Sequence, residues 1–556
     1  MNRDTEYDVV IVGGGPVGLL LAYQLKRFGT SVCVLEQHDK QSQDAYGRAI
    51  ALFPRTLEML DQLDLIEPML QLGFACRTSV TYKDGERVLP GRVWTFMENI
   101  QDTSYDFVLV LRQMYTEQIL RDKLSSIGVT YYQATECIDF RSDEKGVVST
   151  FKNRATGQTF NIRSKYLVGA DGGRSFVRRH AGIPFEGDTS DDKWVRIDGV
   201  VETDMPISRS YGAIESKTHG NVLWAPLDHG ATRIGYAYSS QIASKYPDGV
   251  TQEVAEKEAI ESMKPFNVTF KEIHWWTLYS IGQRIAKTFS TQDRIFLCGD
   301  AAHTHSSGAA QGLNTGIHDA VNLAWKLALH IRGVTNPAVL QTYSTERISA
   351  VQQLIEYDKD ISILISHKWP AWYTGDPNAD PYIVLGTIFE KAASFNTGLG
   401  ISYTSNHLNR LSTEFGGVRA GSRPPDVELT MPGTGRKLRF QEITRNIAKF
   451  WAVLFTGDIS TTRMRLLQLK KDLETKENFN GNVGWITVSA AAGCSPYEAL
   501  DMDPFGNLFF DLEYVAHQKF GLESGGIVII RPDGLVSTGG SIEGAWIGDY
   551  FSSVLQ

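Results

Sequence analysis

The sequence predicts an α/β protein in which an antiparallel sheet is inserted between two parts of a parallel one. Two glycine-rich segments, residues 9–37 and 294–329, each run from a short apolar strand through a tight turn into an apolar helix. This order is typical of a parallel sheet with helices on its faces. Residues 191–283 alternate apolar and polar side chains, which indicates antiparallel strands between the two segments.

Composition and charge exclude several classes of function. A net charge of −9 argues against a nucleic-acid partner, because surfaces that bind nucleic acids are usually basic. The chain has no run of about 18 apolar residues, so we expect no membrane span, and its first residues do not resemble a signal peptide. The five cysteines form no CxxC pair and no cluster of metal ligands is evident, so we expect a metal-free protein in the reducing cytoplasm.

The first glycine-rich segment has the features of a dinucleotide site. Tyr7–Val12 is predicted to be a buried parallel strand. After it, Gly13 permits a tight turn, Gly15 lets the backbone approach a pyrophosphate, and Gly18 lets the next helix pack closely on the strand. Glu36, eighteen residues after Gly18, can accept a hydrogen bond from a ribose 2′-hydroxyl. This unit alone does not separate NAD from FAD.

Two later segments favour FAD over NAD. Asp171 follows the predicted strand Tyr166–Ala170 and precedes a helix start, although an acidic helix cap would also explain it. Asp300 ends a second strand after Gly299, where its carboxylate could accept a hydrogen bond from a ribityl hydroxyl. The long helix that begins near Gly312 could direct its positive N-terminus at a reduced flavin. An NAD-dependent dehydrogenase needs neither of these last two features.

Three motifs in this order resemble those of the single-component FAD-dependent aromatic hydroxylases. They are GxGxxG, DGxxSxVR at Asp171–Arg178, and GDAAHxHxxxxxQGxN at Gly299–Asn314. Three further segments resemble the phenol hydroxylase branch: Gly47–Leu60, Leu111–Leu120 and Trp275–Arg284. The resemblance covers nearly the whole chain and implies a Rossmann-like FAD-binding domain with an inserted substrate-binding sheet. Because a second GxGxxG unit is missing, NADPH or NADH is expected to bind only transiently.

The resemblance also implies cofactor-binding roles for particular residues. Glu36 would bind the AMP ribose, Arg48 and Arg112 would contact the ribityl–pyrophosphate region, and Asp300 would hold the ribityl chain. Outside its motif, an arginine such as Arg112 is more often an ion-pair partner. The expected cofactor-binding set is Gly13, Gly15, Gly18, Glu36, Gln37, Arg48, Ala49, Arg112, Gln113, Asp171, Gly299, Asp300, Gly312, Leu313 and Asn314.

The chain departs from the family pattern around the face where oxygen would react. Ser307 stands where the family often has proline, and Gly308–Ala310 has alanines in place of the usual glycine pair. Ile50 stands where the phenol hydroxylase branch tends to place an aspartate, so a carboxylate base for a phenol is missing there. The substrate could therefore be a larger, natural-product-like molecule, or another group could act as the base.

Aromatic and cationic residues of the inserted sheet are candidates for the substrate site. Trp224, Tyr236 and Tyr238 lie on a predicted hairpin and could line a substrate pocket, although aromatic strand residues are more often part of the core. Tyr279 and Arg284 are the candidate catalytic residues, because a phenolic hydroxyl can polarise a substrate oxygen and a guanidinium can stabilise a phenolate. Tyr279 could equally be a packed strand residue.

The chain is expected to divide into an interrupted FAD-binding domain and two further regions. Strand–helix–strand order and a late hairpin in the last region resemble a thioredoxin-like fold without CxxC, which in the phenol hydroxylase branch supports a homodimer. The expected ranges are 1–190 and 284–365 for the FAD-binding domain, 191–283 with part of 77–110 for the substrate sheet, 366–435 for a helical linker, and 436–556 for the thioredoxin-like domain.

These observations predict an enzyme that uses NAD(P)H and O2 to hydroxylate a phenolic or other electron-rich aromatic substrate, through a flavin C4a-hydroperoxide. A flavin epoxidase or Baeyer–Villiger-type oxygenase on the same fold is an alternative. A flavin oxidase and a non-catalytic flavin-binding scaffold are others. The complete set of three motifs argues against the scaffold, which would not require each flavin contact.

Overall fold

Helices and strands alternate through the first half of the chain. A separate region of strands and helices forms its C-terminal part. The computed structural model describes residues 6–40, 49–89, 92–306, 308–366, 368–376, 378–410, 415–474 and 481–556. Its strands are β1 (Glu6–Val12), β2 (Val32–Leu35), β3 (Ala51–Leu52), β4 (Phe74–Cys76), β5 (Ser79–Lys83), β6 (Glu86–Arg87), β7 (Val108–Val110), β8 (Thr130–Tyr132), β9 (Thr135–Asp143), β10 (Gly146–Asn153), β11 (Thr159–Gly169), β12 (Phe185–Thr203), β13 (Tyr211–Ser216), β14 (Gly220–Pro226), β15 (Thr232–Tyr238), β16 (Val268–Ala286), β17 (Ser290–Thr291), β18 (Ile295–Leu297), β19 (His303–Thr304), β20 (Glu428–Thr430), β21 (Lys437–Arg439), β22 (Phe450–Phe455), β23 (Val483–Ser489), β24 (Asn507–Phe510), β25 (Gly526–Ile530) and β26 (Val536–Gly540). Its helices are α1 (Pro16–Arg27), α2 (Pro54–Asp61), α3 (Ile66–Leu72), α4 (Gln113–Ser126), α5 (Phe176–His180), α6 (Ser240–Ala243), α7 (Gln252–Ser262), α8 (Gly312–Ile331), α9 (Pro337–Ile365), α10 (Pro381–Lys391), α11 (Ala393–Asn396), α12 (Phe440–Ile443), α13 (Ile459–Glu474), α14 (Pro496–Leu500), α15 (Val515–Phe520) and α16 (Gly544–Val554).

The first sheet is the parallel core that the sequence predicts. Its main strand order is β17-β18-β11-β1-β2-β8, and β1 pairs in parallel with both β2 and β11. The middle of β1 is fully buried, as its continuous β-branched run requires. Val12 pairs with Gly169, and Gly169 pairs with Leu297. The turns that follow β1, β11 and β18 therefore lie side by side at the carboxyl edge of the sheet.

The second sheet is the inserted, mainly antiparallel one. Its order is β19-β16-β12-β15-β14-β13-β5-β6, with β5 and β13 as its parallel pair. One face packs on α7, where Ile197 and Ile234 join Ala255 and Met263 in an apolar cluster. Because side chains alternate along a strand, the intervening residues of β12 and β15 project from the opposite face. That second face borders the candidate site described below.

The third sheet belongs to the C-terminal region. Its order is β21-β20-β24-β23-β22-β25-β26, in which β22 is parallel to β23 and antiparallel to β25. The sheet begins with β20 at Glu428, earlier than the expected boundary at residue 436, because the hairpin β20–β21 forms its edge. The thioredoxin-like name for this region stays a prediction. Within the described ranges, no helix combines the length and the apolarity needed to cross a membrane.

A buried ionic network joins the C-terminal region to the helices of the first domain. Arg531 follows β25 and donates to Glu346 of α9 at 2.7 and 3.0 Å, and to Asp533 at 2.6 Å. Lys326 of α8 donates to the same Glu346 at 2.8 Å. Burial alone would raise the pKa of Glu346, but Arg531 and Lys326 outweigh it and hold that pKa well below its usual range. The two regions are therefore joined by compensated charges that water does not reach.

Replacing Arg531 tests the strength of this connection. Arg531→Met should lower the thermal midpoint by the equivalent of ~3–5 kcal/mol, because the buried carboxylate of Asp533 would lose its ion-pair partner and that of Glu346 would keep only Lys326. Arg463→Met is the matched control, since its ion pair with Asp501 is exposed and should contribute less than about 1 kcal/mol. Circular dichroism during heating measures both midpoints. Equal shifts in the two variants would contradict the assigned role of Arg531.

Candidate active site

The start of α1 forms an open cradle at the carboxyl edge of the first sheet. Gly15 is the N-cap residue and no side chain caps the helix. A Cβ placed on Gly15 would meet nothing within 4 Å, whereas a Cβ on Gly18 would lie 2.1 Å from the Gly13 carbonyl oxygen. Gly18 therefore serves close packing between helix and strand, and Gly15 leaves space in front of unpaired helix amides. An anion such as a pyrophosphate fits that space.

Glu36 is held at the end of β2 beside this cradle. Its Oε2 accepts a hydrogen bond from the Gly14 N–H at 2.7 Å, and its Oε1 accepts one from the His38 N–H at 2.8 Å. The carboxylate is thereby oriented, and each oxygen keeps a second lone pair for a ligand hydroxyl. Gln37 is exposed, and its Oε1 accepts a hydrogen bond from Arg154 at 3.3 Å.

The second glycine-rich segment contacts the first one directly. Gly299, with a φ of 61°, forms the turn after β18, and a Cβ there would lie 3.0 Å from Val17 of α1. A Cβ on Gly316 of α8 would lie 2.6 Å from the same valine. The starts of α1 and α8 are therefore packed together around Val17. A side chain at Gly299 or at Gly316 would press on Val17, so glycine is needed at both positions. The two glycine-rich motifs border one cleft.

Asp319 of α8 fixes the turn at Gly299, and sequence reasoning did not identify it. Its carboxylate is fully buried and accepts hydrogen bonds from the Gly299 N–H at 2.8 Å, from His303 at 2.7 Å and from Arg347 at 2.6 Å. Burial alone would raise the pKa of Asp319, but His303 and Arg347 outweigh it and lower the pKa to about 2. The spacing between Asp319 and Asp300 is the one sequence signal that could have suggested that both residues belong to the same site.

The residues expected to hold the flavin lie around this turn. Asp300 is exposed, and no hydrogen bond to its carboxylate occurs within the described part of the chain. Gly312 and Leu313 begin α8, which again has no side-chain cap. Asn314 donates to the carbonyl oxygen of Ala51 at 2.9 Å and accepts from the Phe53 N–H at 2.9 Å. Its side chain is therefore committed to β3, and only its backbone is available to a cofactor.

Two of the motif residues carry buried polar atoms without partners among the described residues. Asp171 accepts hydrogen bonds from the N–H groups of Phe176 and Val177 through Oδ2, while its Oδ1 is buried and unpartnered among the described residues. Burial raises the pKa of this carboxyl above its usual range. His305 donates from Nδ1 to the Ser306 carbonyl oxygen at 2.8 Å, and its buried Nε2 has no partner in the same described set. Together with the open space at Gly15 and the exposed Asp300, these atoms fit the polar groups of FAD.

Arg112 has protein partners in the second sheet, and its expected contact with the cofactor stays a prediction. Its Nε and Nη2 lie 2.8 and 2.6 Å from Asp228 Oδ1, and its Nη1 lies 3.0 Å from His274 Nδ1. The guanidinium thus joins the start of α4 to the second sheet. Gln113 bonds Glu117 at 2.9 Å, so its side chain also stays on α4. The sequence could not indicate this, because Asp228 is 116 residues away along the chain.

Two residues of the predicted cofactor set precede this helix in the chain. Ala49 is half-buried, and its carbonyl oxygen accepts a hydrogen bond from the Gln113 N–H at 3.0 Å. Arg48 lies outside the described residues, as does Ser307 in the oxygen-side loop. Their expected roles stay predictions.

A cavity lies beside the flavin segment, between the second sheet and α9. Strand β12 contributes Trp194 and Arg196, and α9 contributes Ser362. The loop that follows His305 contributes Ser306 and Gly308, so the cavity and the flavin cleft share that loop. The remaining wall is mostly apolar and comes from Val93, Trp94, Tyr211, Gly212, Ala213, Asn221, Leu223 and Ile365.

The three aromatic residues predicted to line a substrate pocket lie on the other face of the sheet. Trp224 and Tyr236 are buried in the cluster against α7, and Tyr238 packs at its border. Trp224 donates to the carbonyl oxygen of Ser208 at 2.8 Å, and Tyr236 donates to that of Ala255 at 3.1 Å. The structure thus favours the alternative that these residues belong to the core, since alternation along a strand does not say which of its two faces meets α7.

The two candidate catalytic residues are separated. Tyr279 of β16 pairs with Trp194 across the ladder, and the Arg196 guanidinium lies 5.8 Å from its ring centre, which places Tyr279 on the cavity face. Arg284 pairs with Thr304 of β19 next to the flavin segment and is not one of the residues that line the cavity. Sequence reasoning missed Trp194 and Arg196, whose only signal was their alternation on β12.

Comparison with known proteins agrees with this geometry. Residues 6–358 match the model of the family described as FAD binding domain. The chain belongs to this family. A phenol 2-monooxygenase of Aspergillus fumigatus is 27% identical, over 96% of this chain and 94% of that protein. The 6-methylpretetramide 4-monooxygenase of Streptomyces rimosus is 29% identical, over 96% and 91% respectively.

A solved structure shares the whole fold of this FAD-binding protein. The ternary complex of aklavinone-11 hydroxylase with FAD and aklavinone superposes with a TM-score of 0.76 at 21% identity, over 100% of this chain and 99% of that one. The Rossmann-like fold predicted for the FAD-binding domain is therefore confirmed. With its family and these relatives, the protein is an FAD-dependent monooxygenase and hence an oxidoreductase.

Two glycine variants separate cofactor binding from folding. Gly15→Ala should leave the stability of the FAD-free protein unchanged, since its Cβ meets nothing, but should weaken FAD binding by about tenfold or more. Gly18→Ala should lower both, because its Cβ would clash with the Gly13 carbonyl oxygen. Flavin fluorescence titration and thermal unfolding measure the two effects. Unchanged FAD affinity in Gly15→Ala would place the pyrophosphate elsewhere.

Asp319→Asn should weaken FAD retention and stability in a pH-dependent manner. The pKa of Asp319 falls from an ordinary 3.8 to about 2 on folding, so its stabilising contribution is fully present above pH 3.8 and is lost as the pH falls toward 2. The difference in thermal midpoint between wild type and variant should therefore be constant near neutral pH and shrink on acidification. A difference that grows on acidification would contradict the assignment.

Proposed function

We propose that this monooxygenase uses NAD(P)H and O2 to hydroxylate an electron-rich aromatic substrate bound in the cavity beside the flavin segment. The observation that carries the proposal is the shared loop. Ser306 and Gly308 line the cavity, and Ser306 directly follows His305 of the flavin motif. A substrate ring in the cavity would thus lie against the loop that borders the cofactor site.

The lining of the cavity supports a flat aromatic substrate. Trp94, Leu223 and Ile365 supply apolar walls that suit flat rings, while the polar groups are few. The related enzymes are named for phenol and for 6-methylpretetramide, and we infer that this chain acts on a phenolic, natural-product-like member of that range.

The residues of the chain position the reaction, and the cofactor supplies its redox chemistry. When bound, FAD takes electrons from NAD(P)H and enables transfer of an oxygen atom from O2 to the ring. Glu36, Asp300 and the amides at the starts of α1 and α8 would hold it. The apolar walls exclude water from the reacting face, and Arg196 and Ser362 orient the substrate through polar contacts.

Asp358 holds the loop between cofactor and substrate in place. This buried carboxylate of α9 accepts hydrogen bonds from the Ser306 N–H at 2.7 Å and from Gln283 at 2.8 Å. The loop is therefore tied both to α9 and to β16. With these donors engaged, Asp358 is a positioning residue for the oxygen-side loop.

Two further expectations about the protein stay proposals. The five cysteines all lie in described ranges and none forms a disulfide, which supports a reducing compartment such as the cytoplasm. The homodimer rests on the resemblance of the C-terminal region alone.

A turnover experiment with a cavity-filling variant tests the proposed function. With NADPH or NADH and isotopically labelled O2, wild type should convert members of a panel of phenols and polycyclic phenolic ketones to products that carry one labelled oxygen atom. Leu223→Trp should lower kcat/KM by about tenfold or more while FAD content stays constant. Thr218→Trp, at the exposed β13–β14 turn, is the matched control.

The outcomes separate the proposal from its alternatives. NAD(P)H oxidation that yields only H2O2 across the whole panel would indicate an oxidase instead. Labelled epoxide or ester products would indicate the other oxygenase classes. Equal kcat/KM losses in Leu223→Trp and Thr218→Trp would place the substrate outside the cavity.

A further inference from the structure

Strand β12 contributes an indole donor to the wall of the cavity. Trp194 lines the cavity and is buried, with an exposed fraction of 6%. Its Nε1–H is buried as well and has no hydrogen-bond partner among the described residues. An indole N–H can donate a hydrogen bond but cannot accept one, and buried polar groups in native proteins nearly always have a partner. Trp194 therefore needs an acceptor, which a ligand in the cavity can supply.

Helix α9 contributes a second residue with an unpartnered polar atom to the same cavity. Ser362 is one of the lining residues, and its buried hydroxyl makes no hydrogen bond within the described part of the chain. A serine hydroxyl in a helix can bond a carbonyl oxygen of the preceding turn, as Ser262 does with Ala259 at 2.7 Å. Ser362 does not make that bond, so its hydroxyl is available to a ligand.

The charged group of the wall is already engaged by the protein. The Arg196 guanidinium donates to the Val195 carbonyl oxygen at 3.2 Å and has further protein partners. It also lies over the rings of Trp194 and Tyr279, at 5.3 and 5.8 Å from their centres. The unpartnered donors of the wall are therefore the neutral ones. Burying a carboxylate against neutral donors costs much more than burying a neutral acceptor, so the wall fits an uncharged oxygen.

We propose that the Trp194 Nε1–H and the Ser362 hydroxyl bind an uncharged carbonyl oxygen of the substrate, so that the enzyme selects phenols that also carry a ketone group. This inference rests on the proposed function and narrows its substrate class. A carbonyl oxygen has two lone pairs and can accept from both donors. A phenolic oxygen is a weaker acceptor, because one of its lone pairs is delocalised into the ring. Trp194 and Ser362 are then specificity-determining residues that recognise an oxygen remote from the hydroxylated carbon.

Equilibrium dialysis with the FAD-loaded enzyme at neutral pH tests this selection. The probes are 3-hydroxyacetophenone and 3-ethylphenol, which share the phenol and have nearly the same size but differ in the carbonyl oxygen. Wild type should bind the ketone about tenfold tighter or more, as expected for one or two additional neutral hydrogen bonds. Trp194→Phe and Ser362→Ala should each remove part of this preference, and the double variant should remove it entirely.

The ratio of the two affinities reports the hydrogen bond, because the volume lost in Trp194→Phe affects both probes. Trp546→Phe is the matched control: its indole N–H already donates to the Ser541 carbonyl oxygen at 3.0 Å, and the ratio should stay as in wild type. Equal affinities in wild type, or a preference that persists in the double variant, would overturn the inference. Tighter binding of 3-hydroxybenzoate than of the ketone would also overturn it, because the wall would then recognise a charge.

Thermal unfolding of the FAD-loaded enzyme without substrate gives an independent measurement. Ser362→Ala should leave the midpoint unchanged or raise it, because it removes a buried hydroxyl that has no described partner. Ser537→Ala is the matched control and should lower the midpoint, because the buried Ser537 hydroxyl donates to the Leu408 carbonyl oxygen at 2.8 Å. Equal losses in the two variants would overturn the role of Ser362. Selective binding of the ketone without any oxygenated product would support carbonyl recognition and overturn the proposed function instead.

Discussion

The carboxylate of Asp319 joins the elements that form the flavin site. It lies inside α8 with no exposure to solvent and receives the Gly299 N–H, His303 and Arg347. Transferring a carboxylate from water to such an environment costs several kcal/mol, so it is stable there only with all three partners in place. Asp319 therefore fixes the turn after β18, helix α8 and helix α9 in position relative to one another.

Helix α9 extends this arrangement in both directions. Glu346, next to Arg347, receives Arg531 from the C-terminal region, and Asp358, three turns further along, receives Ser306 from the loop between cofactor and cavity. The third sheet, the cofactor turn and the substrate wall are therefore attached to one rigid helix. Burial of each of these charges requires its partner, so a loss at one point is transmitted as destabilisation of the whole assembly.

The two faces of the second sheet have different roles: one packs in the core, and the other borders the cavity. On one face, Trp224 and Tyr236 pack against α7 and use their polar atoms on backbone carbonyl groups. On the other, Trp194 and Arg196 border the cavity. The same strands thus supply a stable apolar core and a set of donors. This division follows from the period of two along a strand, since each residue faces the side opposite to its neighbours.

The amino-acid sequence by itself determined the cofactor, because the features that require FAD lie in short segments: the glycines after β1, the acid at Glu36, and the turn at Gly299–Asp300 before α8. Each is a local strand–turn–helix pattern whose geometry depends on nearby residues. The tertiary structure alone decided the partner of Arg112 and the walls of the cavity. Asp228 is 116 residues from Arg112, and β12, β14 and α9 come from separate parts of the chain. Alternation marks two faces of a strand, and only packing against α7 decides which face the substrate can meet.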